Sequence, residues 1–207
     1  DALETGVIKG DGPFYPQEPA PIRPKPSRSF AGRTYAVASS DDSIDSCARL
    51  GAAMVMFADR SWKSRLPSIE LWRELHQKYN ESPPPIPLVC DFIYCHEDAD
   101  VAQARAEEHL SIYLASVLSH YEIMGDHFAD LKGYDAYAKA SGALNKMGDA
   151  GFLSGFLQAT AYGTPEQIID KLTERRALIG DFEFAPAFRF GELVNDLLWL
   201  AIRRGLE

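Results

Sequence analysis

The chain has 207 residues, with 21 basic against 30 acidic side chains and a formal net charge of −9. That balance argues against binding to nucleic acid or to an anionic membrane, since both need a surplus of Lys and Arg to neutralise phosphates. At 46% hydrophobic and 25% charged the composition is that of a globular chain with a substantial core, making one domain or part of one.

No uncharged run reaches the ~18 apolar residues of a membrane helix. Cys47, Cys90 and Cys95 are an odd number at no metal-like spacing, and a disulfide scaffold would carry more, so a soluble protein of the reducing cytoplasm is expected. Asp1-Ala2-Leu3-Glu4-Thr5-Gly6 reads as the last turn of a helix closing on glycine. The expectation is that the chain starts inside something larger.

Residues 10 to 30 carry Pro13, Pro16, Pro19, Pro21, Pro24 and Pro26, which argue for a long ordered connector without helix or central strand. Thr34 to Ala38 is a short apolar run fit for a buried strand, and Ser39-Ser40-Asp41-Asp42-Ser43 are helix-starting residues. A helix over Ile44–Leu50 ends at Gly51. Ala53–Ala58 reads as a second buried strand, and Leu66–Tyr79 has apolar residues at helical spacing. Leu88–Tyr94 is strand-like, followed by a long helix from about Val101 to Met124. Helical segments are expected near Tyr134–Leu144 and Gly151–Ala159. Thr164-Pro165-Glu166-Gln167 then caps a helix to Ile179, ahead of a strand over Phe182–Phe190.

Continuous apolar strands alternating with amphipathic helices predict a parallel sheet covered by helices, an open doubly wound sheet or a (β/α)₈ barrel. Four units resemble half of the eight a barrel needs.

The corner Ser39–Ser43 joins a strand's end to a helix N-terminus, where free amides and the helix dipole favour an anion. The plainer reading is helix capping alone, and Asp41 and Asp42 would repel a phosphate unless turned away. Phe57 could face a ligand at the barrel mouth or pack in the core, as could Trp62. His109, Tyr113, Ser116 and His120 share one face of the long helix, which could line a pocket or an oligomer interface, or consist of histidines satisfied by neighbouring carbonyls. No metal site is expected, since His109 and His120 lie about 16 Å apart along the axis. Lys171, Glu174, Arg175 and Arg176 read as a solvated face. Cys90 and Cys95 read as buried hydrophobes on opposite faces of a strand. There is no Gly-x-Ser-x-Gly elbow to support a hydrolase.

Taken in order, Gly10-Asp11-Gly12-Pro13-Phe14-Tyr15, Pro24-Lys25-Pro26-Ser27, Tyr35-Ala36-Val37-Ala38-Ser39-Ser40, Ala48-Arg49-Leu50-Gly51 and Gly163-Thr164-Pro165-Glu166-Gln167-Ile168-Ile169 resemble the C-terminal half of luciferase-like flavin-dependent monooxygenases. The resemblance implies a (β/α)₈ TIM barrel, present here as its C-terminal half in a single domain over residues 1–207. It implies reduced FMN bound at the C-terminal strand ends, reaction with oxygen, and oxidation of a small organic substrate. It places cofactor contacts on Ala38, Ser39, Ser40, Ser43 and Phe57, with Ser40 and Ser43 most directly on the phosphate. No catalytic residue carries over, because the usual catalytic histidine lies in the other half, and the half alone is expected to be inactive.

A flavin reductase supplying the reduced flavin and a homo-oligomer are further implications. Within the same fold the rivals are use of the deazaflavin F420 and a non-catalytic pairing subunit. On this mapping Tyr35–Ser39 is the sixth barrel strand, Ala53–Phe57 the seventh and Phe182–Phe190 the eighth, with Leu88–Tyr94 an extra strand or excursion. After Phe190-Gly191, Glu192-Leu193-Val194 starts a helix where the family has a loop.

Overall fold

A computed structural model describes residues 2–122, 142, 148 and 151–192. The helix expected near Tyr134–Leu144 and the segment from Leu193 onward lie outside the described residues.

Helix α1 (Ala2–Thr5) closes at Gly6, whose φ of +75° lets its N–H reach back to the Ala2 carbonyl at 2.9 Å. Strands β1 (Val7–Gly10) and β2 (Gln17–Pro21) then form an antiparallel hairpin. The proline-rich connector is therefore not strandless. Pro19 and Pro21 are tolerated because the ribbon has only two strands, and alternate N–H groups need no partner there. The Glu4 carboxylate ties the connector's far end back by accepting from Ser29 Oγ and the Phe30 N–H, each at 2.9 Å.

The main body runs β3 (Tyr35–Val37), α2 (Asp41–Arg49), β4 (Ala53–Phe57), α3 (Trp62–Asn80), β5 (Leu88–Cys95) and α4 (Ala99–Tyr121). A helical stretch α5 over residues 151–159 follows, then β6 (Ala161–Gly163), α6 (Pro165–Ile179) and β7 (Glu183–Ala187). Pairing is parallel from β3 to β4, β4 to β5, and β5 to both β6 and β7. This is an α/β fold of the TIM-barrel type, with four parallel strands on the path β3–β4–β5–β7.

The ladder corrects one expectation. Leu88–Cys95 is no excursion, because it is hydrogen-bonded to β4 on one register and to β7 on another. With β7 as the closing strand, β3 and β4 each stand one place earlier than their sequence-based numbering.

The register puts Val37, Val55, Leu88 and Glu183 in one row. The row on the other face, Ala36, Met54, Met56, Val89 and Phe184, packs against α2, α3 and α6 through Ile44, Ile69, Trp72 and Ile179. Helices α2, α3 and α6 therefore cover one face, while α4 and α5 reach the opposite face at the end of β5, against Phe92 and Tyr94. Elsewhere on that opposite face, Tyr35, Val37 and Phe57 are 45%, 61% and 47% exposed.

That open face is curled. Three strand steps separate β3 from β7, about 14 Å in a flat sheet, and side chains standing upright on such a sheet would not meet. Yet Tyr35 OH donates to Glu183 Oε2 at 2.8 Å, so the two outer strands bend toward each other as in a barrel wall.

Helix α3 begins a turn earlier than its apolar periodicity implied. Pro67, inside the helix, hides the start from a propensity reading, yet Trp62 and Arg65 both lie on the buried face. Gly163 has φ +143°, and a Cβ there would lie 2.6 Å from Gln167 Oε1. It must be glycine because Gln167 folds back to accept from the Thr164 N–H at 2.9 Å in the expected capping box.

Ile69 is fully buried between sheet and helices while Glu70 beside it is exposed. Ile69→Ala is expected to cost about 2–5 kcal/mol and Glu70→Ala less than about 0.5 kcal/mol, measured by equilibrium urea unfolding.

Candidate functional site

Because β3, β4 and β5 run parallel, their C-terminal ends share one rim. Ser39 follows β3 there, and Phe57 ends β4.

Ser40 is the N-cap of α2, with Ser43 at N3 in a reciprocal capping box. Ser43 Oγ accepts from the Ser39 and Ser40 N–H groups, both at 2.9 Å, and donates to the Ser40 carbonyl at 2.8 Å. Ser40 Oγ accepts from the Ser43 N–H at 3.3 Å and donates to Ser43 Oγ at 3.1 Å. A hydroxyl has one proton, so in this arrangement both serines spend theirs inside the cap. What the cap leaves unbonded among the described residues are the N–H groups of Asp41 and Asp42 and the exposed Ser39 hydroxyl.

Ala38 is buried at 1% exposure and packs toward the helices, so only its backbone meets the rim. Phe57 is exposed on the uncovered face rather than packed in the core. Trp62 takes the core role, donating from Nε1 to the Ala159 carbonyl at 3.1 Å. The structure thus brings Ser39, Ser40 and Ser43 into one turn and sets Phe57 on the neighbouring strand end.

The expected solvated face of α6 is only half correct. Glu174 and Arg176 are exposed, but Arg175 is buried at 3% exposure. Its Nη2 donates to Asp91 Oδ2 at 2.7 Å and to the Ala159 carbonyl at 2.9 Å, and its guanidinium lies 4.3 Å over the Trp62 ring. The Ala161 N–H also donates to Asp91 Oδ2, at 3.1 Å. Burial pushes the Asp91 carboxyl up to about 6, even though Arg175 and the backbone donors pull the other way.

A second buried cation, Arg65, donates to the Phe57 carbonyl at 2.6 Å and to Asp59, fixing the chain just beyond β4. Desolvation draws its pKa down. Neither buried arginine was visible in the periodicity. The one available signal was Asp91 in the middle of the apolar run Leu88–Tyr94, a charge that a buried strand accepts only with a partner.

The histidine stripe resolves to carbonyl contacts, one across the fold and one within α4. His109 Nδ1 lies 2.7 Å from the Gly191 carbonyl, and His120 Nδ1 lies 2.8 Å from that of Ser116. Cys95 is exposed and Cys90 half-buried, against the expectation that both are buried, since Cys95 sits at the very end of β5 and Cys90 on the uncovered face. No helix among the described residues is long and apolar enough to cross a membrane.

A curled parallel sheet with helices packed on it defines the fold class, and comparison with known proteins agrees with that class. Residues 1–181 match the luciferase-like monooxygenase family, and the chain belongs to it. A search of the curated proteins found no match. Among solved structures, the monooxygenase RslO1 of Streptomyces bottropensis is 15% identical with a TM-score of 0.59, matching 90% of this chain and 50% of its own. The FMN-bound oxygenating constituent of 3,6-diketocamphane monooxygenase from Pseudomonas putida is 14% identical, with a TM-score of 0.58 over 96% of this chain and 56% of its own. Coenzyme F420-dependent tetrahydromethanopterin reductase from Methanopyrus kandleri is 15% identical, with a TM-score of 0.56 over 89% of this chain and 53% of its own. At these identities the likeness is one of fold. This chain spans about half the length of each.

The raised Asp91 pKa sets a sign. An acid held above its ordinary 3.8 keeps its proton more tightly in the folded state, so the stability it contributes is full below pH ~3.8 and is lost as pH rises through about 6. Urea unfolding of the parent and of Asp91→Asn across pH 4 to 7 is expected to shift against the parent as pH rises, by at most about 3 kcal/mol. A shift in the parent's favour would mean that Arg175 outweighs burial.

Proposed function

We propose that this chain is the C-terminal part of a single barrel domain that acts as a flavin-dependent oxidoreductase, a monooxygenase using reduced FMN and oxygen on a small organic substrate. The observation that carries the reading is the serine turn at the rim. It offers two unbonded backbone N–H groups and a free hydroxyl at the N-terminus of a helix, above an uncovered face holding Phe57.

The residues present fit a phosphate-bearing cofactor. A dianion at the start of α2 would accept from the Asp41 and Asp42 N–H groups and the Ser39 hydroxyl, helped by the helix dipole. Both aspartates are exposed, so their carboxylates can turn to water. Ser40 and Ser43 hold the turn in shape, and their hydroxyls reach the phosphate only by giving up bonds within the cap. Ala38 contributes backbone beneath the turn, and Phe57 an apolar wall for a flavin ring. When bound, reduced FMN supplies the electrons that activate oxygen. This chain's residues anchor the phosphate at the serine turn and offer the ring the Phe57 wall.

Among the similar folds are both an FMN-bound and an F420-dependent protein, so F420 in place of FMN is the rival within the same site. A separate flavin reductase, self-association and a cytoplasmic setting complete the proposal, with a non-catalytic pairing subunit as the alternative outside catalysis.

Anaerobic titration of the full-length protein with reduced FMN, and separately with F420, is expected to give saturable quenching with FMN. Ser39→Ala is expected to weaken it about 3- to 10-fold, and Ser40→Ala, which loosens the whole turn, by at least as much while costing about 1 kcal/mol of stability. Saturation with F420 alone would transfer the site to the deazaflavin, and binding of neither would leave the pairing subunit.

A further inference from the structure

The helix-covered side of the sheet carries a second polar site, apart from the serine turn. A cleft of about 230 Å³ opens between the start of α3, the end of α5 and the middle of α6, lined by Trp62, Lys63, Thr160, Lys171, Glu174 and Arg175 among others. Its size exceeds the ~150 Å³ in which an apolar cavity holds a benzene, but its chemistry is cationic.

Arg175 is held by Asp91, the Ala159 carbonyl and the Trp62 ring, yet its Nε and Nη1 have no hydrogen-bond partner. Leaving such donors unmet in a buried guanidinium is costly. Lys171 is half-buried and fixed, its Nζ donating to the Tyr162 carbonyl at 2.9 Å and to that of Thr160 at 3.4 Å, 3.7 Å from the Tyr162 ring centre. An ammonium has three protons, so one remains. Lys63 adds a third cation, Glu174 is the one acid in the cleft lining, and Asp91 is buried in its pair with Arg175.

We infer that this cleft binds a small oxyanion, a carboxylate or phosphate group, through Lys171 and Arg175 with Lys63 at its edge. The ligand accepts the open Lys171 proton, and the enclosed Arg175 guanidinium behind the wall adds positive charge rather than a direct bond, which fits an acceptor-only anion and no cation. The site lies behind the sheet from the uncovered face, so it does not depend on the cofactor proposal.

Titration calorimetry of the full chain with sodium acetate and with inorganic phosphate, at constant ionic strength, tests the assignment. Saturable binding of at least one of them below about 50 mM is expected, weakened about tenfold by Lys171→Gln and about 2- to 3-fold by Lys63→Gln. Lys63 is exposed, so that variant folds even if the first does not. Lys9→Gln, which removes an equal charge from β1, and Ser40→Ala should both leave acetate binding within twofold. The inference is overturned if neither anion saturates, if Lys9→Gln weakens binding as much as the cleft variants, or if phosphate alone binds and only Ser40→Ala weakens it, which would move the anion to the serine turn.

Discussion

A parallel sheet needs cover on both faces, because its strands are apolar throughout and its crossovers lie on only one side of any half-barrel. Here the helices α2, α3 and α6 bury Met54, Met56, Val89 and Phe184, while Tyr35, Val37 and Phe57 remain open on the other face. The Tyr35–Glu183 hydrogen bond spans that open face and marks its curl into a trough. Everything functional in the molecule follows from this asymmetry. The covered side can hold buried charge, and the uncovered side ends at a rim where strand ends and helix N-termini meet.

On the covered side, Asp91 and Arg175 join β5 to α6 in a setting where neither charge could persist alone. Trp62 binds the same Ala159 carbonyl that Arg175 uses, so α3, α5 and α6 converge on one backbone oxygen. This arrangement fixes the relation between successive helices without relying on shape alone. It also sets a buried guanidinium beside the cleft proposed to bind an anion.

Much of this was readable from the residues. The run Tyr35–Val37 followed by serines marked a strand–turn–helix corner. Gly163-Thr164-Pro165-Glu166-Gln167 gave the start of α6 to the residue, because a capping box needs particular side chains at particular offsets. Ser39, Ser40 and Ser43 were legible as helix-starting residues, but the helix begins at Asp41 and not at Ile44, because the apolar spacing starts only at Ile44 while the reciprocal Ser40–Ser43 cap fixes the first turn before it. Long-range pairing was not readable. Nothing local in Leu88–Cys95 says that it lies between β4 and β7, and a charged residue on a helix looks solvated until a buried carboxylate 84 positions away is found beside it. The division of labour within the turn was equally hidden. Sequence names three hydroxyls, but only geometry tells which protons are already spent within the cap.

The central claim is that the phosphate of a flavin sits on the open amides at the start of α2. Backbone NMR of the full-length protein titrated with FMN and with riboflavin, which lacks the phosphate, tests it most directly. The Asp41 and Asp42 amide resonances should move with FMN and hold still with riboflavin, while signals near Phe57 respond to both. Movement of the two aspartate amides with both ligands, or with neither, would contradict the placement.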